Sequence, residues 1–391
     1  MPTAIVLGAG LVGSVIAADL AADPDYSVTI ADSRPDALER ANARARGRLT
    51  TVRADLADAA VLRKTIAPYD VVVGALASAI GFQTLRVVIE AGKNYSDISF
   101  MPEDAIDLDE LAKERGVTAV VDCGVAPGMS NLLAARAAAE LDRADSIEIY
   151  VGGLPRERRW PFQYKAGFSP SDVVEEYTRP ARIVERGEIV TRPALSEPEL
   201  LEFDGVGTLE AFNTDGLRSL ASTMKIPSMK EKTLRYPGHI ELMRIFRETG
   251  LFSREPIDVP NPDDPRAGAV RVRPLDVISS LMFPKWTYGP AEEDLTVMRI
   301  IVDGVKSAKR VRHTWDLLEF YDRETRATSM SRTTAFPCAI LARLLAAGTL
   351  TKPGVVPPEL LGPDKPLVDA VLAEHHKRGV EYRHHVAPID A

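Results

Sequence analysis

Residues 3–32 read TAIVLGAGLVGSVIAADLAADPDYSVTIAD. The apolar run 3–8 ends in glycine, the pattern of a short buried strand. Leu11, Val12, Val15, Ile16 and Leu20 then recur at helical spacing over residues 11–22. SVTIAD (27–32) reads as a second strand closed by an acid. Strand, helix, strand is a βαβ unit, whose strands lie parallel because the helix carries the chain back to the same end of the sheet. At the first strand-to-helix turn stands Gly8-Ala9-Gly10-Leu11-Val12-Gly13, a GxGxxG. At this chain's glycine content, chance supplies roughly 0.1 such matches, so the setting carries the reading. Gly8 permits the tight turn, Gly10 lets a pyrophosphate approach the helix N-terminus, and Gly13 lets helix and strand pack closely. Asp32 ends the second strand, placed to accept hydrogen bonds from the adenosine ribose and to repel a 2′-phosphate. NAD is therefore the expected cofactor. Ser33 and Arg34 keep NADP open, because an arginine here can serve a phosphate.

The alternation continues through LTTVRAD (49–55), DVVVGAL (70–76), NYSDIS (94–99) and VTAVVDCG (117–124), with helices between them. This predicts an α/β fold with a Rossmann-type doubly wound parallel sheet over residues 1–125. Asp55, ending the third strand, either touches adenine or caps a turn. Ala75, Leu76 and Ala77 leave the fourth strand at its carboxyl end, where cofactors lie in open α/β sheets. After residue 125 the pattern changes to strands with few helices, among them SIEIYVGGL (146–154), a hairpin over 181–192 turning at Arg186-Gly187, and DLTVMRIIVDG (294–304). Residues 126–332 read as an α+β second domain on a mixed or antiparallel sheet. Residues 333–391 read as C-terminal helices packing back on the first domain, with Pro337 near a first turn.

The composition fits this reading. Of 391 residues, 45% are hydrophobic and 27% charged, ordinary values for globular domains. The net charge of −8 disfavours nucleic acid and anionic membranes as partners. No apolar stretch is long enough to cross a bilayer, and Asp19 interrupts the one N-terminal run that resembles a leader. Two cysteines fit a reducing cytoplasm. No metal-ligand spacing appears, so no metal is expected. A homo-oligomer is expected, because an exposed second-domain sheet commonly pairs with its copy.

Several residues beyond the glycine motif can carry chemistry. Gly124, Val125 and Pro127 form a turn that opens a helix at Met129, near where nicotinamide should lie; it holds a carboxamide or carboxylate, or is a plain turn. Arg235 suits an α-carboxylate, or a surface salt bridge. On a strand it points away from Tyr236, so both line one pocket only if the chain turns there. His239 is a candidate proton acceptor or a packed helix cap. Asn213 and Asp215 lie in a polar turn that holds an amino group or caps a helix. Lys165 is a weaker candidate for acid–base work.

VDCGVAPGMSNLL (121–133), TLRYPGHIELM (233–243) and SRTTAFPCAILARLLAAG (331–348) together resemble the saccharopine dehydrogenase family, and within it the L-lysine 6-dehydrogenase branch. The family's usual SRTTG is SRTTA here. The resemblance implies NAD(P)-dependent oxidation of an amine-bearing carbon, followed by hydrolysis of the imine. For L-lysine the products are the 6-semialdehyde and ammonia. A saccharopine-type reaction on a secondary amine is the alternative; its extra carboxylates need another cation, for which Lys165 or Lys225 is available. A dinucleotide-binding regulator without turnover is the third reading. Deprotonating a lysine ε-ammonium at pH 7 costs about 4.6 kcal/mol, so oxidation should speed up toward alkaline pH.

Overall fold

The computed structural model describes residues 1–262, 268–289 and 292–389. Six strands alternate with helices along the first third of the chain: β1 (Thr3–Leu7), α1 (Leu11–Ala22), β2 (Ser27–Asp32), α2 (Pro35–Arg44), β3 (Thr50–Arg53), α3 (Ala59–Ile66), β4 (Val71–Gly74), α4 (Ser78–Glu90), β5 (Asn94–Asp97), α5 (Asp109–Glu114) and β6 (Thr118–Val120). All pair in parallel in the order β3-β2-β1-β4-β5-β6, and a seventh parallel strand, Gly354–Val356, adds beside β6. This is the doubly wound arrangement whose strand order reverses between β1 and β4. The apolar runs Ala4–Leu7 of β1 and Val71–Gly74 of β4 are buried throughout, as helices on both faces require.

The second sheet follows α6 (Met129–Ala138). It is built from β7 (Arg143–Pro155), β8 (Ala181–Glu185), β9 (Glu188–Arg192), β10 (Glu199–Phe203), β11 (Gly207–Asn213) and β12 (Ser228–Arg235). Three helices lie among these strands or follow them: α7 (Pro170–Thr178), α8 (Leu220–Thr223) and α9 (His239–Glu248). A hairpin, β13 (Ile257–Pro260) and β14 (Ala269–Val272), and α10 (Pro274–Trp286) precede the long pair β15 (Asp294–Lys306) and β16 (Lys309–Phe320). The chain ends with α11 (Ser329–Ala346), β17 (the strand at Gly354–Val356), α12 (Lys365–Lys377) and β18 (Tyr382–Pro388). The sheet order is β10-β11-β12-β7-β15-β16-β18, with β8 on β12 and β9 on β8. Only β12 and β7 run parallel; the other pairs are antiparallel, so the sheet is mixed. The β8–β9 hairpin turns at Arg186-Gly187, both at positive φ.

The C-terminal stretch serves both sheets. β17 joins the parallel sheet, while β18 pairs with β16 in the mixed one. Between them α11, buried nearly all round, packs against α1, β4, β5 and β15. It begins four residues before the expected start, so Pro337 lies inside the helix rather than in its first turn. The reason is the cap. Thr328 accepts the Ser331 N–H at 3.2 Å, and the Asp294 carboxylate accepts the N–H groups of Ser329 and Met330 at 2.7 and 3.0 Å. A carboxylate on free amides at a helix N-terminus stabilises that end, which extends the helix beyond what apolar periodicity shows.

Candidate active site

The carboxyl ends of the parallel strands face β12 and α7 across a cleft of about 790 Å³. One end is made mostly of backbone. Gly8 sits at φ +99°, and a Cβ there would meet the Ala75 carbonyl oxygen at 2.4 Å. A Cβ on Gly13 would lie 2.0 Å from the Gly8 oxygen. Gly10 differs: a Cβ there meets nothing within 4 Å, because it points into the cleft. That open space at the start of α1 fits a pyrophosphate. Gly8, Gly10, Leu11, Val12, Gly13, Asp32, Ser33, Asp55, Ala75, Leu76, Ala77, Gly124, Val125 and Pro127 all line this one cleft.

Asp32 ends β2 and holds the glycine loop, accepting the Ala9 N–H at 2.7 Å. It also accepts from Arg34, at 2.9 Å from the backbone and 3.2 Å from Nε. Burial pushes its carboxyl up, but these hydrogen bonds and the guanidinium outweigh that and hold it below the usual range. Arg34, singled out above only as a complication, lines the cleft with its side chain more than half exposed. Asp55 accepts the Ala57 N–H at 3.1 Å, closing a turn at the cleft edge. In the loop after β6, the Met129 and Ser130 N–H groups bond to Gly124 and Val125 oxygens at 2.9 and 3.0 Å. Those two donors are not free for a ligand, and Met129 itself is buried away from the cleft.

The other end is made of side chains. Alternation along β12 points Glu231, Thr233 and Arg235 into the cleft, while Lys230 and Lys232 pair with Glu148 and Glu199 on the opposite face. Arg235 is buried. Its Nε donates to Tyr177 Oη at 3.0 Å, one terminal nitrogen to Glu176 at 2.8 Å, and its guanidinium lies 4.4 Å from the Tyr164 ring centroid. Asp215 also lines the cleft, held by Arg182 at 2.8 and 3.0 Å. Asp122 pairs with Arg218 at 3.3 Å, and both adopt φ +52°, a left-handed conformation uncommon for residues other than glycine. Phe100 packs against the guanidiniums of Arg218 and Arg179 at 4.8 and 5.3 Å.

The remaining candidates lie elsewhere. Tyr236 does not share the pocket of Arg235, because β12 stays extended there; its hydroxyl donates to the Pro155 oxygen at 3.0 Å. His239, 1% exposed, is locked between Tyr177 Oη and the Phe162 oxygen, each at 2.9 Å. Burial and the nearby Arg235 lower its pKa to about 3, so it stays neutral and is no proton acceptor for the cleft. Lys165 turns to Glu292 at 2.7 Å in a separate groove. Asn213 is buried behind the sheet on Ser196 and Glu197. Lys225 is exposed and outside the cleft lining. The residues that sequence reasoning missed include Glu231, Thr233, Asp172, Glu175, Glu176, Asp122, Arg218 and Arg179. Counting back by twos from Arg235 would have found Glu231 and Thr233; no local signal marks the others. Among the described residues, no group of three or more His, Cys, Asp or Glu is placed to hold a metal, and no helix is long and apolar enough to cross a membrane.

Fold and cleft together are those of a dinucleotide-binding protein with a second, mixed-sheet domain. Two family models match the chain: the saccharopine dehydrogenase NADP binding domain over residues 4–120 and the saccharopine dehydrogenase C-terminal domain over residues 124–380. The chain belongs to the saccharopine dehydrogenase family. Its relatives include a saccharopine dehydrogenase (NADP(+), L-glutamate-forming) of Schizosaccharomyces pombe, 21% identical, with 96% of this chain and 97% of that protein covered. An alpha-aminoadipic semialdehyde synthase of Arabidopsis thaliana is 24% identical over 78% of this chain, which spans only 36% of that protein's length. A carboxynorspermidine synthase of Vibrio cholerae is 26% identical, with 64% of this chain and 60% of that protein covered. The fold matches that of an apo histidine-tagged saccharopine dehydrogenase (L-Glu forming) from Saccharomyces cerevisiae, with a TM-score of 0.80 at 18% identity, covering 99% of this chain and 100% of that one.

Proposed function

We propose that the protein oxidises the ε-carbon of L-lysine, passing hydride to a nicotinamide dinucleotide and releasing ammonia and the 6-semialdehyde. One observation carries this choice of substrate. The side-chain end of the cleft is lined by six carboxylates (Asp122, Asp172, Glu175, Glu176, Asp215 and Glu231); arginines pair with four of them, Arg218 with Asp122, Arg254 with Glu175, Arg235 with Glu176 and Arg182 with Asp215, which leaves Asp172 and Glu231 without a cation among the described residues. Such a surplus suits a molecule with two ammonium groups and one carboxylate. Nicotinamide supplies the hydride acceptor. The parallel-sheet residues seat the dinucleotide through Gly8, Gly10, Gly13 and Asp32. In the second domain, Arg235 orients the α-carboxylate, Asp215 faces an ammonium, and the cleft walls limit water around the reacting carbon.

A saccharopine-type reaction on a secondary amine is the second reading. The names of the relatives favour it, and Arg179 lines the cleft as the additional cation such a substrate needs. The deciding experiment follows reduced cofactor with NAD or NADP and either L-lysine or saccharopine, at pH 7 and pH 10. Turnover of lysine with ammonia release is expected, faster at pH 10. Turnover of saccharopine alone would move the assignment to the second reading.

A further inference from the structure

Of the six carboxylates at the side-chain end of the cleft, Asp122, Glu176, Asp215 and Glu231 act on one another, and three of these four have an arginine of their own. Asp122 has Arg218 at 3.3 Å, Asp215 has Arg182 at 2.8 Å and Glu176 has Arg235 at 2.8 Å. Glu231 has none. It is 4% exposed, lines the cleft, and its Oε2 is buried without a hydrogen-bond partner among the described residues. Backbone shape makes room for it: a Cβ on Gly216 would stand 1.7 Å from Glu231 Oε1, so a larger residue there would displace the carboxylate. A buried carboxylate with neither cation nor donor is costly, and an ion pair completes it at the least rearrangement.

We propose that Glu231 receives the reacting ammonium of the substrate, holds it by a charge-assisted hydrogen bond, and takes its proton before hydride leaves the adjoining carbon. This deepens the amine-oxidation reading and rests on it. The atoms balance. R–CH2–NH3⁺ gives one proton to the Glu231 carboxylate and becomes R–CH2–NH2. The nitrogen lone pair forms the C=N bond as hydride leaves carbon for the oxidised dinucleotide, giving R–CH=NH2⁺. Water then adds, and ammonium departs from the aldehyde.

The surroundings match this role. Burial first, then the charges of Glu176 on α7, Asp215 after β11 and Asp122 after β6, raise the Glu231 pKa to about 8, against the opposing charge of Arg218. A base near 8 stands closer to an alkylammonium, about 10.4, than an ordinary glutamate does at about 4.3. It is also mostly protonated below pH 8 in the empty cleft, so activity should rise as pH passes through that value.

The test is the pH dependence of kcat/KM for whichever amine the full-length protein oxidises, in wild type, Glu231→Gln and Glu231→Asp. Wild type should show a rising limb near pH 8 beneath a second limb from the substrate amine. Glu231→Gln should lose at least about 100-fold in kcat and the limb near 8, keeping the alkaline one; Glu231→Asp should retain the limb with reduced rate. A limb near 8 that persists in Glu231→Gln, or a loss under about threefold, overturns the assignment. If wild type oxidises neither lysine nor saccharopine, the functional reading fails, and 1,5-diaminopentane then tests Glu231 separately. At pH 8 with dinucleotide present, it should raise the unfolding temperature of wild type but not of Glu231→Gln. Equal shifts, or none in wild type, overturn the proposal.

Discussion

The two ends of the cleft are built on different principles. At the dinucleotide end, shape comes from backbone: a glycine loop, the start of α1 and the strand ends of β2 and β4, with Asp32 as a strut on the Ala9 amide. At the other end shape comes from charge: Asp122–Arg218, Asp215–Arg182 and Glu176–Arg235 bring together side chains from distant segments. Backbone shape tolerates no added atoms where it is tight, whereas a charge network tolerates changes of size but not loss of one partner. The largest consequence concerns Arg235. Arg235 is buried and Glu176 half-buried, so Arg235→Ala removes a buried cation and leaves Glu176 unpaired, and should cost about 3 kcal/mol of stability. Arg235→Met combined with Glu176→Gln should recover most of that in urea unfolding. If the single variant costs less than about 1 kcal/mol, the pair is a surface contact and the charge-built description of this end fails.

At the backbone-built end, Gly10 separates binding from folding. Its φ of −72° is open to any residue, and a Cβ there meets no protein atom within 4 Å. Gly10→Val should therefore fold normally while losing roughly 50-fold in dinucleotide affinity, about 2–3 kcal/mol, by fluorescence titration. Gly13→Val should instead lower stability, since its Cβ would overlap the Gly8 oxygen. Normal affinity in Gly10→Val would place the pyrophosphate elsewhere.

The same contrast explains what could be read from the chain. The glycine loop, its helix and the acid closing β2 are neighbours in sequence, so local spacing alone brings them together, whereas Asp55, Ala75 and Gly124 reach the same cleft because each follows a parallel strand at its carboxyl end. Both sheets are legible for a similar reason: buried parallel strands read as apolar runs, and the 181–192 hairpin carries its own turn. On the substrate side, Arg235 and Asp215 reach the cleft, whereas His239, Tyr236, Lys165, Asn213 and Met129 do not. The five were singled out by chemistry alone. Their directions depend on tertiary facts: β12 staying extended through Arg235, and Tyr177 arriving from α7 to engage the His239 ring. The partners of Asp122 and Arg235 come from 96 and 59 residues away, and no pattern along the chain announces a salt bridge of that range.

Stability against pH probes the aromatic cluster behind Arg235. The folded His239 sits at about 3 and His375 at about 4, both lowered chiefly by burial, against about 6.5 unfolded. Between these values the unfolded chain binds the extra protons, so stability is full above pH 6.5 and falls as pH drops toward 4. Replacing His239 with Gln should flatten this acid loss by about 3 kcal/mol in denaturant titrations at pH 4 and pH 7. An unchanged slope would mean that His239 is protonated in place. Glu231 acts in the opposite sense: its folded pKa is raised to about 8, so its contribution is lost as pH rises from about 4.5 to 8, and Glu231→Gln should be more stable than wild type above pH 8.

The smallest expected effect lies at the mouth of the dinucleotide end and concerns which cofactor is preferred. A free Asp32 carboxylate would hydrogen-bond the ribose and repel a 2′-phosphate, favouring NAD. Here the carboxylate is already shared: Arg34 donates to it from its backbone and from Nε, while the guanidinium remains more than half exposed at the cleft edge. With Asp32 neutralised by its neighbour, the repulsion weakens, and the exposed face of Arg34 offers a phosphate two donors. The family's dinucleotide domain is an NADP-binding one, which agrees with this arrangement. Arg34→Ala should therefore weaken NADPH binding about tenfold, roughly 1.4 kcal/mol, and leave NADH within about twofold. Asp32→Asn should move the ratio the other way, weakening NADH more than NADPH, because the lost acceptor serves the ribose while the arginine still serves the phosphate. Equal losses for both cofactors in Arg34→Ala would show that Arg34 supports the loop through Asp32 and does not touch the phosphate.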